Sequence, residues 1–190
     1  MQGTRTVNLI QQIKNKILRY KIEKLSKAVV RKRKLCNFAD VRSIGVVFDF
    51  DNEEGLQNLI QYADYLKKQG KAVKVIGFIN AKEVPPWANT KTNIEIYCKT
   101  NLNFIGEPQG VSTFLSEPFD WLVAIDNGEN IQIEYMTALS VASCKFCREV
   151  SEHEFKNFDF QLKIPRDNDV RGYFEYIKDY TYQLTGNDAK

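Results

Sequence analysis

The sequence predicts a three-layer α/β fold, a mostly parallel sheet with helices on both faces and a long helix ahead of it. Three observations predict it. The runs at 44–48 and 119–125 are apolar at successive positions but for Asp120, the pattern of strands buried on both faces. Amphipathic stretches of ten or more residues alternate with such runs, as in chained β-α units. At 190 residues, 43% apolar and 27% charged, the chain suits one domain with a sizeable core.

Residues 6–30 read as one helix. Val7, Ile10, Ile13, Ile17, Leu18, Ile22, Leu25 and Val29 recur at threes and fours, and no Pro or Gly interrupts them. Lys14 and Lys21 fall within that stripe, where their stems would cover apolar surface while the ammonium groups reach water. The helix runs into the cluster Arg31-Lys32-Arg33-Lys34. We divide the chain into a basic helical arm, residues 1–38, and one α/β domain, residues 39–190.

The first strand is expected at 43–49. Asn52 then caps a helix over 52–69, with Glu53 and Glu54 in the first turn and Gly70 as the stop. A second strand at 72–79 leads into a loop containing Pro85-Pro86-Trp87, with Trp87 read as an anchor packing on the core. A short strand at 94–98, an extended piece at 101–106 and a short helix at 111–115 follow. The strand at 119–125 ends in Asp126-Asn127-Gly128, and a helix follows over 130–142. Strands at 145–150 and 158–164 precede a last helix capped within 167–169. The architecture is thus Rossmann-like in the broad sense. No Gly-x-Gly-x-x-Gly follows a strand and no Walker-type loop is present, so no dinucleotide or P-loop motif accompanies the fold.

No apolar run reaches the roughly 18 to 20 residues of a membrane span. No signal-peptide pattern opens the chain, so a cytoplasmic location is expected, with Cys36, Cys98, Cys144 and Cys147 as reduced thiols. The net charge of +3 conceals a split. Residues 1–34 hold eleven Lys and Arg against Glu23 alone, a net of +10, while residues 35–190 carry a net of −7. A basic arm on an acidic body attracts polyanions through counterion release. Lys16, Arg19, Lys27, Arg31, Lys32, Arg33 and Lys34 are the candidates, for nucleic acid or for an anionic membrane surface. Docking of the apolar stripe on the body, or pairing with a second copy as a homodimer, remain open beside them.

Several segments carry a likeness. Ile44-Gly45-Val46-Val47-Phe48-Asp49, Gly70-Lys71-Ala72-Val73, Ile76-Gly77-Phe78-Ile79 and Asn101-Leu102-Asn103-Phe104-Ile105-Gly106-Glu107-Pro108 come first. Phe119-Asp120-Trp121-Leu122-Val123 and Ala138-Leu139-Ser140-Val141-Ala142 follow in order. Together with the basic N-terminal helix they resemble an uncharacterised bacterial family known only as a domain of unknown function. The chain departs from it at Phe146-Cys147-Arg148-Glu149-Val150, where a Phe-Arg-Val-Gly-like ending is expected. The resemblance implies a Rossmann-like fold and a cytoplasmic bacterial protein. It supplies no activity and no site.

Asp49-Phe50-Asp51 after an apolar strand resembles the first motif of haloacid dehalogenase-like phosphotransferases. There the first acid is the nucleophile, the second a general acid/base, and Mg²⁺ screens the phosphate. Asp126, ending a later strand, is the further metal-ligand candidate. The chain departs from that pattern at Asn80, where a Ser or Thr would close the second strand, and at Glu53. The competing reading makes Asp51 and Asn52 helix caps and Asp126 part of a turn. Cys144 and Cys147 have redox or zinc spacing, but in a strand they face opposite sides and read as structural thiols. His153, between Glu152 and Glu154, reads as a surface residue. The resulting expectation is a non-enzymatic binding or interaction module without a cofactor. A Mg²⁺-dependent phosphohydrolase on Asp49 and Asp51 is the alternative, and an RNA-associated or membrane-surface protein acting through residues 5–34 the second.

Overall fold

The structure is a computed structural model, and it describes residues 2–49, 52–89, 94–125, 130–149, 157–165 and 169–186. Among these residues six strands form one sheet: β1 Ser43–Asp49, β2 Ala72–Phe78, β3 Ile94–Tyr97, β4 Trp121–Ile125, β5 Cys144–Arg148 and β6 Phe160–Leu162. Their order is β3-β2-β1-β4-β5-β6 and every pairing is parallel. That is the order of the doubly wound dinucleotide-binding folds, with its switch point between β1 and β4. The expected three-layer α/β class is therefore the observed one, and β1 is central as its apolar run requires. Val46 lies in register with Val75 of β2 and Val123 of β4.

Among the described residues five α-helices cover the sheet: α1 Gln2–Ser26, α2 Glu53–Lys68, α3 Ser112–Leu115, α4 Ile131–Leu139 and α5 Val170–Thr185. α2 and α5 pack on one face. Leu56, Leu59, Leu66, Phe174 and Ile177 meet Val46, Val75, Trp121 and Phe146 there. On the other face α3, α4 and α1 gather around Val47, Ile76, Leu122 and Ala124. α2 begins where Asn52 Oδ1 accepts the Gly55 N–H at 2.8 Å. It ends at Gly70, whose φ of 78° lets the chain turn while Lys71 N–H donates to the Leu66 carbonyl. Asp169 caps α5, and the buried Tyr173 hydroxyl ties that helix to the sheet by donating to the Ala124 carbonyl at 2.8 Å.

α4 has almost no polar face. Ile131, Gln132, Ile133, Tyr135, Met136, Thr137 and Ala138 are all buried. A helix buried all round needs cover on the side away from the sheet. α1 provides it, with Leu18 and Ile22 fully buried against this cluster. The predicted helix at 6–30 is accordingly displaced to Gln2–Ser26, and the cluster Arg31 to Lys34 lies in an irregular segment. Residues 101–106, expected to be extended, form a loop. Asn103 Oδ1 accepts the Ile105 and Glu107 amides, and Gly106 has a φ of 90°. The strand expected at 158–164 shortens to Phe160–Leu162.

Gly45 shows how tightly β1 is held. A Cβ there would lie 2.7 Å from the Phe119 ring and 2.9 Å from Leu122. Gly45→Ala is expected to destabilise the fold by about 1–3 kcal/mol, as other overpacked cores are. Chemical denaturation of the two proteins measures the difference.

Candidate functional site

In open α/β sheets the crevice for a ligand opens beyond the C-terminal ends of the strands, at the switch point. A cleft of about 640 Å³ lies at that edge. Asp49 at the end of β1 and Phe78 at the end of β2, register partners, line it together with Asn80. Asn130 and Gln132, where α4 starts, form one side. Asn103, Phe104 and Gly106 line it from the loop after β3, together with Lys99. Gln11, Lys14 and Asn15 of α1 close the remaining wall. A depression of about 680 Å³ at the opposite edge of the sheet is lined by Asp120. That carboxylate already accepts the backbone amides of Arg42 and Ser43, so it offers a ligand little.

The cleft is rich in amides and carries two cations and one described carboxylate. Asn130 Oδ1 accepts the Gln132 and Ile133 amides, and Gln132 Nε2 donates to the Gly106 carbonyl, which fixes that loop to α4. Lys14 Nζ lies 4.4 Å from the centre of the Phe104 ring, a cation–π contact that holds this aromatic over the opening. Asp51 and Asp126 lie outside the described residues, as does His153, so of the acidic candidates only Asp49 has a described position. Among the described residues no three His, Cys, Asp or Glu side chains gather in a way that would hold a metal ion.

The wall formed by α1 is held by a carboxylate that sequence reading missed. Glu107 accepts bonds from Lys21 Nζ at 2.6 Å, the Tyr135 hydroxyl at 2.7 Å and Asn103 Nδ2 at 2.8 Å. Burial pushes its pKa up, but those three donors outweigh burial and hold it below the ordinary glutamate value. The tendency of Lys21 to project from an apolar stripe was the legible half of this contact; its partner, 86 positions away, was not.

Of the polyanion candidates only Arg31 is drawn into the body. Lys16, Lys27 and Lys32 are exposed, as is Lys34, whose amide donates to the Ser143 carbonyl. Arg19 stands 3.7 Å from Glu134, and Lys27 lies 3.3 Å from Glu23. Arg31 is 8% exposed and makes a two-pronged pair with Asp159, each contact 2.7 Å. Arg33 Nε approaches the same carboxylate at 3.6 Å. Asp159 also accepts the Lys145 amide at 2.9 Å. Arg31 is therefore a structural tether between the arm and the β5–β6 region. Replacing Asp159 by Ala would leave the Arg31 guanidinium without its counter-ion, bonded only to the Ala142 and Ser143 carbonyls, and a loss of about 3 kcal/mol is expected in thermal or denaturant unfolding.

All four cysteines are buried free thiols. Cys144 packs on the α2–α5 face and Cys147 on the α4 face, so the two do not share a ligand. Burial, reinforced by Asp159, pushes the Cys144 thiol up to about 12, the opposite of an activated nucleophile. Between them Lys145 is buried, its amine donating to the Thr137 carbonyl at 2.6 Å and to Ala138 at 3.3 Å. Burial, then repulsion from Arg31, lowers its pKa to about 7. Between pH 7 and the ordinary lysine range the unfolded chain holds a proton that the fold rejects. Stability should therefore rise with pH over that window, by at most about 1.4 kcal/mol per pH unit from this group. Lys145→Met should lack that slope, as unfolding curves at successive pH values would show.

A model for a family of unknown function, DUF6913, matches residues 14–184. The chain belongs to this family. No curated protein and no solved structure matches the chain. The family match covers the sheet and about the last half of α1, so Lys14 and Asn15 of the cleft wall fall within the matched region while Gln11 precedes it.

Proposed function

We propose that this DUF6913 member is a non-enzymatic binding module whose cleft at the C-terminal edge of the sheet takes a small polar anion. The observation that supports it most directly is the placement of Lys14 and Lys99 on a cleft of ligand size at the switch point. The side chains of Asn80, Asn103 and Gln132 supply further polar contacts, and the start of α4 adds the positive end of its dipole. Thermal-shift and calorimetric titration of the full chain with a panel of phosphate- and carboxylate-bearing metabolites tests it. A ligand of this class should raise the melting temperature, and Lys14→Ala or Lys99→Ala should weaken binding about tenfold. No shift with any member of the panel, or shifts untouched by both substitutions, would reject it.

Asp49 at the end of β1 favours a second reading, a Mg²⁺-dependent phosphohydrolase that uses Asp49 with Asp51 and, as metal ligand, Asp126. Turnover of phosphomonoesters with Mg²⁺, abolished by Asp49→Asn, would establish it in place of the first. The nucleic-acid reading of the arm draws less support, because Arg31, Arg33 and Lys21 spend charge on Asp159 and Glu107 within the molecule.

A further inference from the structure

α1 has a second apolar face that the fold leaves in solvent. Leu18 and Ile22 point into the core, whereas Ile10, Ile13, Ile17 and Tyr20 recur at spacings of three, four and three along another side. These four are 46–70% exposed, and Leu9 beside them is 57% exposed. At 100° per residue this stripe is turned by about a right angle or more from the docked face. Large side chains at that spacing on a helix that already has a buried face are not required by the fold. Five of them together form a patch rather than scattered exposure.

The charges around the stripe decide what covers it. Lys14 and Lys21 border it on one side and Lys16 on the other, with Lys24 and Lys27 at its C-terminal end; Glu23 is the single acid of α1. A second copy fits poorly. An antiparallel pair would set Lys16 against its own equivalent, and a parallel pair would set Lys16 against Lys21. A nucleic acid would use the lysines but gain nothing from isoleucines. An anionic lipid surface uses both: acyl chains receive the apolar stripe, headgroup phosphates meet the exposed Lys16 and Lys24, and Tyr20 sits at the boundary. The charge split also fits, because the acidic body, net −7 over residues 35–190, would be turned away from such a surface.

We infer that the outer face of α1, formed by Leu9, Ile10, Ile13, Ile17 and Tyr20, docks on an anionic membrane surface. It does so without leaving α4, since Leu18 and Ile22 stay buried. The inference does not rest on the cleft's ligand; the two surfaces share only Lys14. Co-sedimentation of the full chain with phosphatidylcholine vesicles, with and without added phosphatidylglycerol, tests it. Binding is expected to the anionic vesicles, and to fall as salt rises. Ile13→Glu with Ile17→Glu should lower it about tenfold or more while circular dichroism and melting stay near wild type. Should that pair misfold, Ile17→Ser alone should give a smaller loss in the same direction. Three results would overturn the inference. They are no binding of the wild type to anionic vesicles, binding that survives both sets of substitutions, or a wild-type dimer in light scattering that these substitutions dissolve without any vesicle binding.

Discussion

A parallel sheet leaves no face for water, and the way this chain covers its second face governs the rest of the structure. α2 and α5, sixteen residues each, cover the first face. On the second, α4 has only nine residues and is buried nearly all round, so it needs a layer outside it. α1 is that layer. A helix that reads as a basic appendage is thereby part of the core, with Leu18 and Ile22 as buried as any residue of the sheet. The charge split between the arm and the body then becomes an internal complement, since Lys21 meets Glu107 and Arg31 meets Asp159 across the seam.

The same docking builds the cleft. Without α1 the C-terminal edge of β1 and β2 would be an open shelf. With it, Gln11, Lys14 and Asn15 face the start of α4 across a concavity. The loop at 103–107 fastens the two together. Glu107 bonds to α1 and α4, while the Gly106 carbonyl receives Gln132. A left-handed glycine and an Asn that accepts two amides of its own loop are what give that short segment its shape.

The legibility of the sequence follows the range of each interaction. β1 and β4 announce themselves because burial on both faces writes an unbroken apolar run, and α2 because Asn52 and Gly70 sit at its two ends. The apolar runs of β1 and β4 also point to a central β1 parallel to β4, as observed, but the order of the remaining strands was not legible, since nothing local says how they pair. The end of α1 was misplaced for the same reason. No breaker occurs through residue 30, yet the chain leaves the helix at Ser26 and the segment beyond it carries Arg31 to Asp159. In the site, Asp49 was found from its place after an apolar strand, while Glu107, Asp159 and Lys145 were missed. Each is a charged residue whose partner is distant in sequence or is a backbone carbonyl, and such partners leave no spacing to read.

Lys145 shows why an apolar core retains such groups. α4 ends at Ser140 without a glycine cap, and its last carbonyls lie under protein rather than in water. Unpaired, each would carry a desolvation penalty. An amine on the adjacent strand satisfies the carbonyls of Thr137 and Ala138 together, which no apolar residue at position 145 would do. The cation is disfavoured by burial and by Arg31, and Asp159 offsets part of this from the same strand pair. One carboxylate thus anchors the arm through Arg31, bonds the backbone of β5, and moderates the buried lysine. The segment that follows α1 and the C-terminal end of α4 are thus held by one small polar cluster, at the end of α4 away from the cleft.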